Sequence, residues 1–163
     1  MLPDEVFDFI VGRLEGGARL VNDPADPGGL TRWGVSAAAY PAEDIVGMTR
    51  DRAMVIYDRD YWQAVQGDQL PRQVAVMVFD CAVNQGAGTA RQLLQLSLGV
   101  RADGIVGPAT VAAANAGAPM AHVNAMARRR WDRYRAGRGA QTYLRGWTFR
   151  LFDLIAACSA VAK

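Results

Sequence analysis

Glu15 stands in the string Leu14-Glu15-Gly16-Gly17, where the glycine pair ends whatever regular structure precedes it. A carboxyl at a helix C-terminus faces carbonyl oxygens without intrahelical partners, and their partial negative charge disfavours ionisation. With partial burial added, such a glutamate can hold a proton near neutral pH and deliver it to a leaving oxygen, the step glycosidic cleavage requires. Gly16 and Gly17 leave space beside it for a bulky chain. Asp23 and Asp26 follow on a loop braced by Pro24, Pro27, Gly28 and Gly29, with Thr31 just beyond. A carboxylate there could stabilise an oxocarbenium-like transition state or activate water, and a threonine hydroxyl could position that water. The same residues also fit a plainer role, with Glu15 an ordinary surface residue and the two aspartates forming Asx turns.

The elements that must carry these groups are legible from apolar spacing. Val6, Phe7, Ile10, Val11 and Leu14 recur at helical intervals after Pro3 and Asp4, so the first helix is expected to end at Glu15. From Ala18 to Val35 turn formers replace that period, which predicts an ordered loop or a short β-hairpin. Thr49 suits the cap of a helix through Ala53, Ile56 and Tyr57, and a second core helix follows Leu70-Pro71 through Val74, Val78, Phe79 and Ala82. Thr89 suits the cap of the next helix, Pro108 opens another that closes near Gly117, Pro119 starts an arginine-rich helix, and a last helix is expected over residues 149–161. No alternation is sustained and no repeat stands out, so the chain reads as mostly α with one small loop or β-hairpin element after the first helix. Gly99 to Gly107 is the expected internal boundary, giving a catalytic region over residues 1–98 and a helical C-terminal region over residues 99–163, packed as one unit.

With 163 residues and 51% hydrophobic content the chain can bury a real core, and a net charge of only +2 points to no polyanionic partner and no nucleic acid. Charge is nevertheless uneven: eight arginines lie between Arg128 and Arg150 against the single acid Asp132. That run reads as a solvated helix face, or as a patch for weak contact with anionic wall polymer or lipid. Cys81 and Cys158 are far apart and in no metal-binding spacing, so they read as buried free thiols made in a reducing compartment. The segment beginning Met1-Leu2-Pro3-Asp4-Glu5 has neither a basic n-region nor a long apolar run, so no secretory signal is expected.

The string LEGGARLVNDPADPGGLTRWGVS resembles the signature of glycoside hydrolase family 108, in which Glu-Gly-Gly precedes Asn-Asp-Pro, Asp-x-Gly-Gly, a Thr and a Tyr-Gly-Ile-Thr-like segment, here Trp33-Gly34-Val35-Ser36. The resemblance continues through Tyr61-Trp62, Leu70-Pro71, the VFDCAVNQG run of residues 78–86, Leu94-Gln95, Asp103-Gly104-Ile105-Val106-Gly107-Pro108 with Thr110, and Gly146-Trp147. It implies a lysozyme-like helical fold, cleavage of the β-1,4 bond between N-acetylmuramic acid and N-acetylglucosamine, and Glu15 as the essential acid, as in phage endolysins and secretion-activator-like proteins. The second catalytic group transfers less directly, with Asp26 ahead of Asp23 and Thr31 positioning water. The LLQLSLGVRADGIVGPAT segment is similar to short peptidoglycan-binding modules, and its Asp-Gly turn reads either as a ligand site or as a structural turn. Asn84 and Gln85 could donate hydrogen bonds to N-acetyl groups, and Trp33, Tyr61 or Trp62 could stack on sugar rings.

Rival chemistries fare worse on residue types. A zinc amidase needs a cluster of ligands, and this chain has one histidine, His122, in helical text, so no metal or cofactor is expected. A Cys-His peptidase would have to recruit a cysteine from apolar helical text. A lytic transglycosylase acting on the same bond stays open, as does a non-catalytic wall-binding or secretion-accessory protein. The endolysin reading further implies a monomer made in the bacterial cytoplasm and released to the wall by a membrane-opening partner such as a holin.

Overall fold

Residues 1–23 and 27–160 are described by the computed structural model, and contacts group the chain into two units, Met1–Asp60 and Tyr61–Lys163. Asp26 lies outside the described residues, as do Pro24, Ala25 and residues 161–163. The architecture is mostly helical with one small antiparallel hairpin, as the apolar spacing predicts. Among the described residues, no helix is long and apolar enough to cross a membrane.

In the first unit, α1 (Asp4–Phe7) begins after Pro3 with Asp4 and Glu5 in its first turn, where acids complement the helix dipole. It runs on as a π-wound stretch, Asp8–Leu14, whose wider winding shows in the Glu15 amide reaching back five residues to the Ile10 carbonyl at 3.0 Å. Val6, Phe7, Ile10 and Val11 are all buried, the inward stripe that the sequence periodicity anticipated. Strands β1 (Thr31–Arg32) and β2 (Val35–Ser36) pair antiparallel with Thr31 opposite Ser36 and Arg32 opposite Val35. Helix α2 (Arg50–Tyr57) is capped by Thr49, whose hydroxyl accepts from the Arg52 amide at 3.2 Å. Arg50 fastens α2 to α1: it pairs with Asp4 at 2.7 Å and Asp8 at 2.8 Å, and its guanidinium lies 5.2 Å from the Phe7 ring centre.

In the second unit, which the chain enters through the π-wound Asp58–Trp62, α3 (Arg72–Gln85) is buried without interruption from Val74 to Ala82. Helices α4 (Ala87–Leu98), α6 (Pro119–Ala136) and α7 (Ala140–Ala160) pack around it, while α5 (Pro108–Ala116) joins α4 to α6. A helix that is apolar on every side must be enclosed on every side, and α3 is the axis of this unit.

Three sequence expectations are corrected here. The N-cap of α4 is Gly86 and not Thr89, because Gly86 at φ +87° turns the chain directly from α3 into α4 and Thr89 falls within the first turn. The last helix begins at Ala140, nine residues before the expected start, since Gly137 and Gly139 alone interrupt an otherwise helical text. The arginine-rich stretch is not simply a solvated face. Arg130 is fully buried and Arg150 nearly so, both on Asp80: Arg130 Nη2 donates to Oδ2 at 2.6 Å, and Arg150 Nη2 and Nε donate to Oδ1 at 2.6 and 2.9 Å. Helices α3, α6 and α7 each contribute one member of this ion cluster.

Candidate functional site

Glu15 caps the π-wound end of the first helix, with φ −98° and ψ 5°, and is half-buried. Its Oε1 is shielded from solvent. The two glycines that follow are both left-handed, Gly16 at φ +86° and Gly17 at φ +59°, a conformation that costs a side chain of ordinary chirality about 1–2 kcal/mol. Gly17 is additionally pinned by space, since a Cβ there would sit 2.7 Å from the Gly12 carbonyl oxygen. Its amide donates to the Val11 carbonyl at 3.1 Å, which closes the helix end. The chain therefore reverses tightly at Glu15, and no side chain from the reversal covers the carboxyl.

The hairpin is the second half of the site. Trp33 at φ +54° and Gly34 at φ +70° form a two-residue turn with both residues left-handed, the geometry that suits the twist of a tight hairpin. A tryptophan in that conformation is uncommon. It is held there by its amide, which donates to the Gly17 carbonyl at 2.9 Å, and by its ring, 6.0 Å from Phe7. Arg32 adds two ties, donating from Nε to the Ala18 carbonyl at 3.1 Å and from Nη1 to the Val46 carbonyl at 2.6 Å. Gly34 then lies against Glu15: a Cβ built on it would stand 3.5 Å from the Glu15 Cβ and collide with the Tyr57 hydroxyl. Glutamate, hairpin turn and Tyr57 thus meet around one glycine.

Thr31 sits on β1, half-buried, with its hydroxyl donating to the Gly29 carbonyl at 3.0 Å. Its backbone bridges to Val21, amide to carbonyl in both directions at 2.8 and 2.9 Å, which sets Asp23 two residues beyond the bridge on an exposed loop. Glu15, Asp23, Thr31 and Trp33 accordingly share the first unit.

Tyr61, Trp62, Asn84 and Gln85 belong to the second unit. Tyr61 is half-buried. Trp62 is corrected from sugar platform to core residue: it is 2% exposed, its ring meets Phe79 edge-on at 5.7 Å and lies on Gly67, and its indole N–H donates to Asp68 at 3.0 Å. No face of it is left for a carbohydrate. Asn84 and Gln85 end α3 and line a cavity of about 370 Å³ together with Arg133, Tyr134 and Trp147.

The Asp-Gly turn resolves as a structural lock. Gln95 is buried, and its Nε2 donates to Asp103 Oδ1 at 2.8 Å, to the Ile105 carbonyl at 3.0 Å and to Thr110 at 3.3 Å, while its Oε1 accepts from the Gly104 amide at 2.8 Å. The Gln95 bond, with the Ile105 amide, holds the Asp103 carboxyl below the usual carboxylate range. The residues that make the motif recognisable spend their polar groups on one another. Burial likewise pushes the Cys81 thiol up to about 11 and the Cys158 thiol to about 12, which leaves little thiolate for nucleophilic attack near neutral pH.

Sequence reasoning missed Tyr57 as a member of the Glu15 surroundings, reading it only as a core residue of α2. It is core, 3% exposed, yet its hydroxyl reaches the hairpin glycine. The signal was present in Trp33-Gly34: a turn that requires glycine for space must have something pressed against it.

Comparison with known proteins accords with this geometry. Residues 7–86 match the model of glycosyl hydrolase 108, and residues 89–152 match that of the predicted peptidoglycan domain. No curated protein sequence matches significantly. Among solved structures, that of Brucella abortus SagA is 28% identical, with a TM-score of 0.84 and an alignment covering 97% of this chain and 96% of that one. The glycosyl hydrolase 108 match over residues 7–86, which includes Glu15, and the peptidoglycan-domain match directly after it support a glycoside hydrolase with a role at the cell wall.

Proposed function

We propose that the protein hydrolyses the β-1,4 bond between N-acetylmuramic acid and N-acetylglucosamine, with Glu15 as general acid. The observation that carries this reading is the Glu15 carboxyl itself, with one oxygen shielded from solvent and no side chain from the Gly16-Gly17 reversal in front of it. In the reaction, the Glu15 proton passes to the glycosidic oxygen as its bond to the muramic C1 breaks, releasing the 4-hydroxyl of N-acetylglucosamine. Water then adds to the oxocarbenium-like C1 and gives up a proton, to the Glu15 carboxylate or to a second carboxylate. Asp23 and Asp26 are the candidates for that second group, with Thr31 holding the water, and the half-buried Trp33 and Tyr61 remain candidates for sugar stacking. The biological role we attach is that of an endolysin, active as a monomer and reaching the wall through a partner that opens the inner membrane. Weak contact of the arginines on α6 with anionic lipid would assist it.

Glu15→Gln on purified peptidoglycan is the decisive variant. Loss of general acid catalysis should slow clearing by about a hundredfold or more. Mass spectrometry of the products of the parent should show the added water of hydrolysis and new reducing ends. An anhydro-muramic product would convert the assignment to a lytic transglycosylase. A variant as fast as the parent would leave Glu15 without a catalytic role, and a parent that clears nothing would favour a wall-binding accessory protein.

A further inference from the structure

The cavity at the end of α3 has a polar inventory of one kind. Tyr134 donates its hydroxyl hydrogen to Asn84 Oδ1 at 2.7 Å, and the Cys81 thiol donates to Gln85 Oε1 at 3.4 Å. Both carboxamide oxygens are thereby occupied from within, and the two NH₂ groups are the ends left for a ligand. The orientation of Asn84 follows from the network: Tyr134 accepts from Arg130 Nη2 at 3.0 Å, and reversing the amide would strand the tyrosine proton without an acceptor. Arg130, fully buried and bound to Asp80, fixes the chain from beneath. Arg133 also lines the cavity and has no acidic partner among the described residues. The wall is the Trp147 ring, stacked on Tyr134 at 4.9 Å and 23°.

Two amide donors and a guanidinium beside an aromatic wall ask for a ligand that only accepts and carries negative charge. An acetamido group, the target suggested by Asn84 and Gln85 in the sequence, is neutral and brings a donor of its own. The Arg130 guanidinium, buried on Asp80 and donating to Tyr134, ties the cavity's polar wall to the interior of the unit. In peptidoglycan the sugars are uncharged and the lactyl group is consumed in an amide, so its free carboxylates belong to the peptide stem. We infer that this cavity binds a free carboxylate of the peptide stem, with Arg133 and the Asn84 and Gln85 amides as donors and Trp147 covering the adjoining alanine methyl groups. This rests on the reading of peptidoglycan as substrate, yet it needs no chemistry at Glu15.

The test is NMR titration of the whole chain with three probes: a synthetic stem tetrapeptide with free carboxylates, the same peptide fully amidated, and a peptide-free N-acetylglucosamine oligomer. The free peptide should shift the Trp147 indole and the Asn84 and Gln85 side-chain amide signals, whereas the amidated peptide should not. Arg133→Gln should weaken binding by about tenfold or more, the scale of one charge-assisted hydrogen bond, with Arg133→Lys recovering part of it. Arg133 is exposed, so neither variant should alter the fold, and circular dichroism checks this. Equal binding of the amidated peptide, indifference to Arg133→Gln, or the same signals moving with the oligomer alone would overturn the assignment. A chain that binds the stem but cleaves no glycan would sink the hydrolase proposal and leave this one standing; a chain that cleaves peptidoglycan and ignores the stem does the reverse.

Discussion

Thr31 shows how a single hydrogen bond limits what a residue can do. Its hydroxyl hydrogen is committed to the Gly29 carbonyl, so toward any water it can only accept. A water held this way gives one O–H to the threonine and turns a lone pair outward, the orientation a nucleophilic water needs. Thr31→Val keeps the shape and deletes the hydroxyl. If Thr31 positions the water, the variant should cleave peptidoglycan about tenfold more slowly or worse, while Thr31→Ser keeps most of the rate. If the hydroxyl merely braces the loop through Gly29, the same variant should lose about 1 kcal/mol of stability and little activity. Turnover and melting temperature, read together on both variants, separate the two. At this scale the sequence was informative about Glu15, whose position at a glycine-terminated helix was visible in its neighbours. It was uninformative about Trp62, because an aromatic side chain looks the same in a string whether it faces a sugar or Phe79.

The hairpin over residues 31–36 is the element that brings a turn glycine against Glu15 at the helix end, and so builds the candidate site. Its turn was foreseeable as a loop or hairpin from the density of turn formers, but not its reach onto Tyr57, which depends on contacts between segments more than twenty residues apart. Gly34→Ala tests that reach. The new methyl would require φ +70° of a residue that disfavours it and would drive into the Tyr57 hydroxyl. Strain and overpacking together should cost about 2–4 kcal/mol, and because the Glu15 Cβ lies on the same side, activity should fall further than stability alone accounts for. Gly34→Ala combined with Tyr57→Phe removes the colliding oxygen and should recover part of the stability, as measured by chemical unfolding. The helix boundaries carry the complementary lesson. Prolines at 108 and 119 marked their helices correctly because proline acts locally, whereas Thr89 failed as a cap because Gly86 had already turned the chain.

At the scale of the molecule, long-range polar ties knit the helices of the second unit together, and the sequence hid them in what looked like a solvated basic run. Asp80 is buried at the centre of α3, with Arg130 and Arg150 arriving from fifty and seventy residues away. Burial alone would push its carboxyl up; the two guanidiniums overcome that and hold it below the usual carboxylate range. A carboxyl depressed in the folded state stabilises fully above the unfolded aspartate value of about 3.9, and that contribution is lost as pH falls through this value toward the lower folded one. The second unit should therefore unfold in acid. Asp80→Asn should cost about 3–5 kcal/mol at neutral pH, because it leaves two cations in the interior without their anion. Measured by urea unfolding at pH 7 and again at pH 3, the gap between parent and variant should narrow in acid, since below about 3.9 the parent's unfolded chain is stabilised by taking up a proton at residue 80 and the variant's is not. A gap that stays constant across that range would mean the cluster acts through packing and not through its charges. Adding Arg130→Met to Asp80→Asn should recover part of the loss at pH 7, because removing a stranded cation relieves more than its contacts supply.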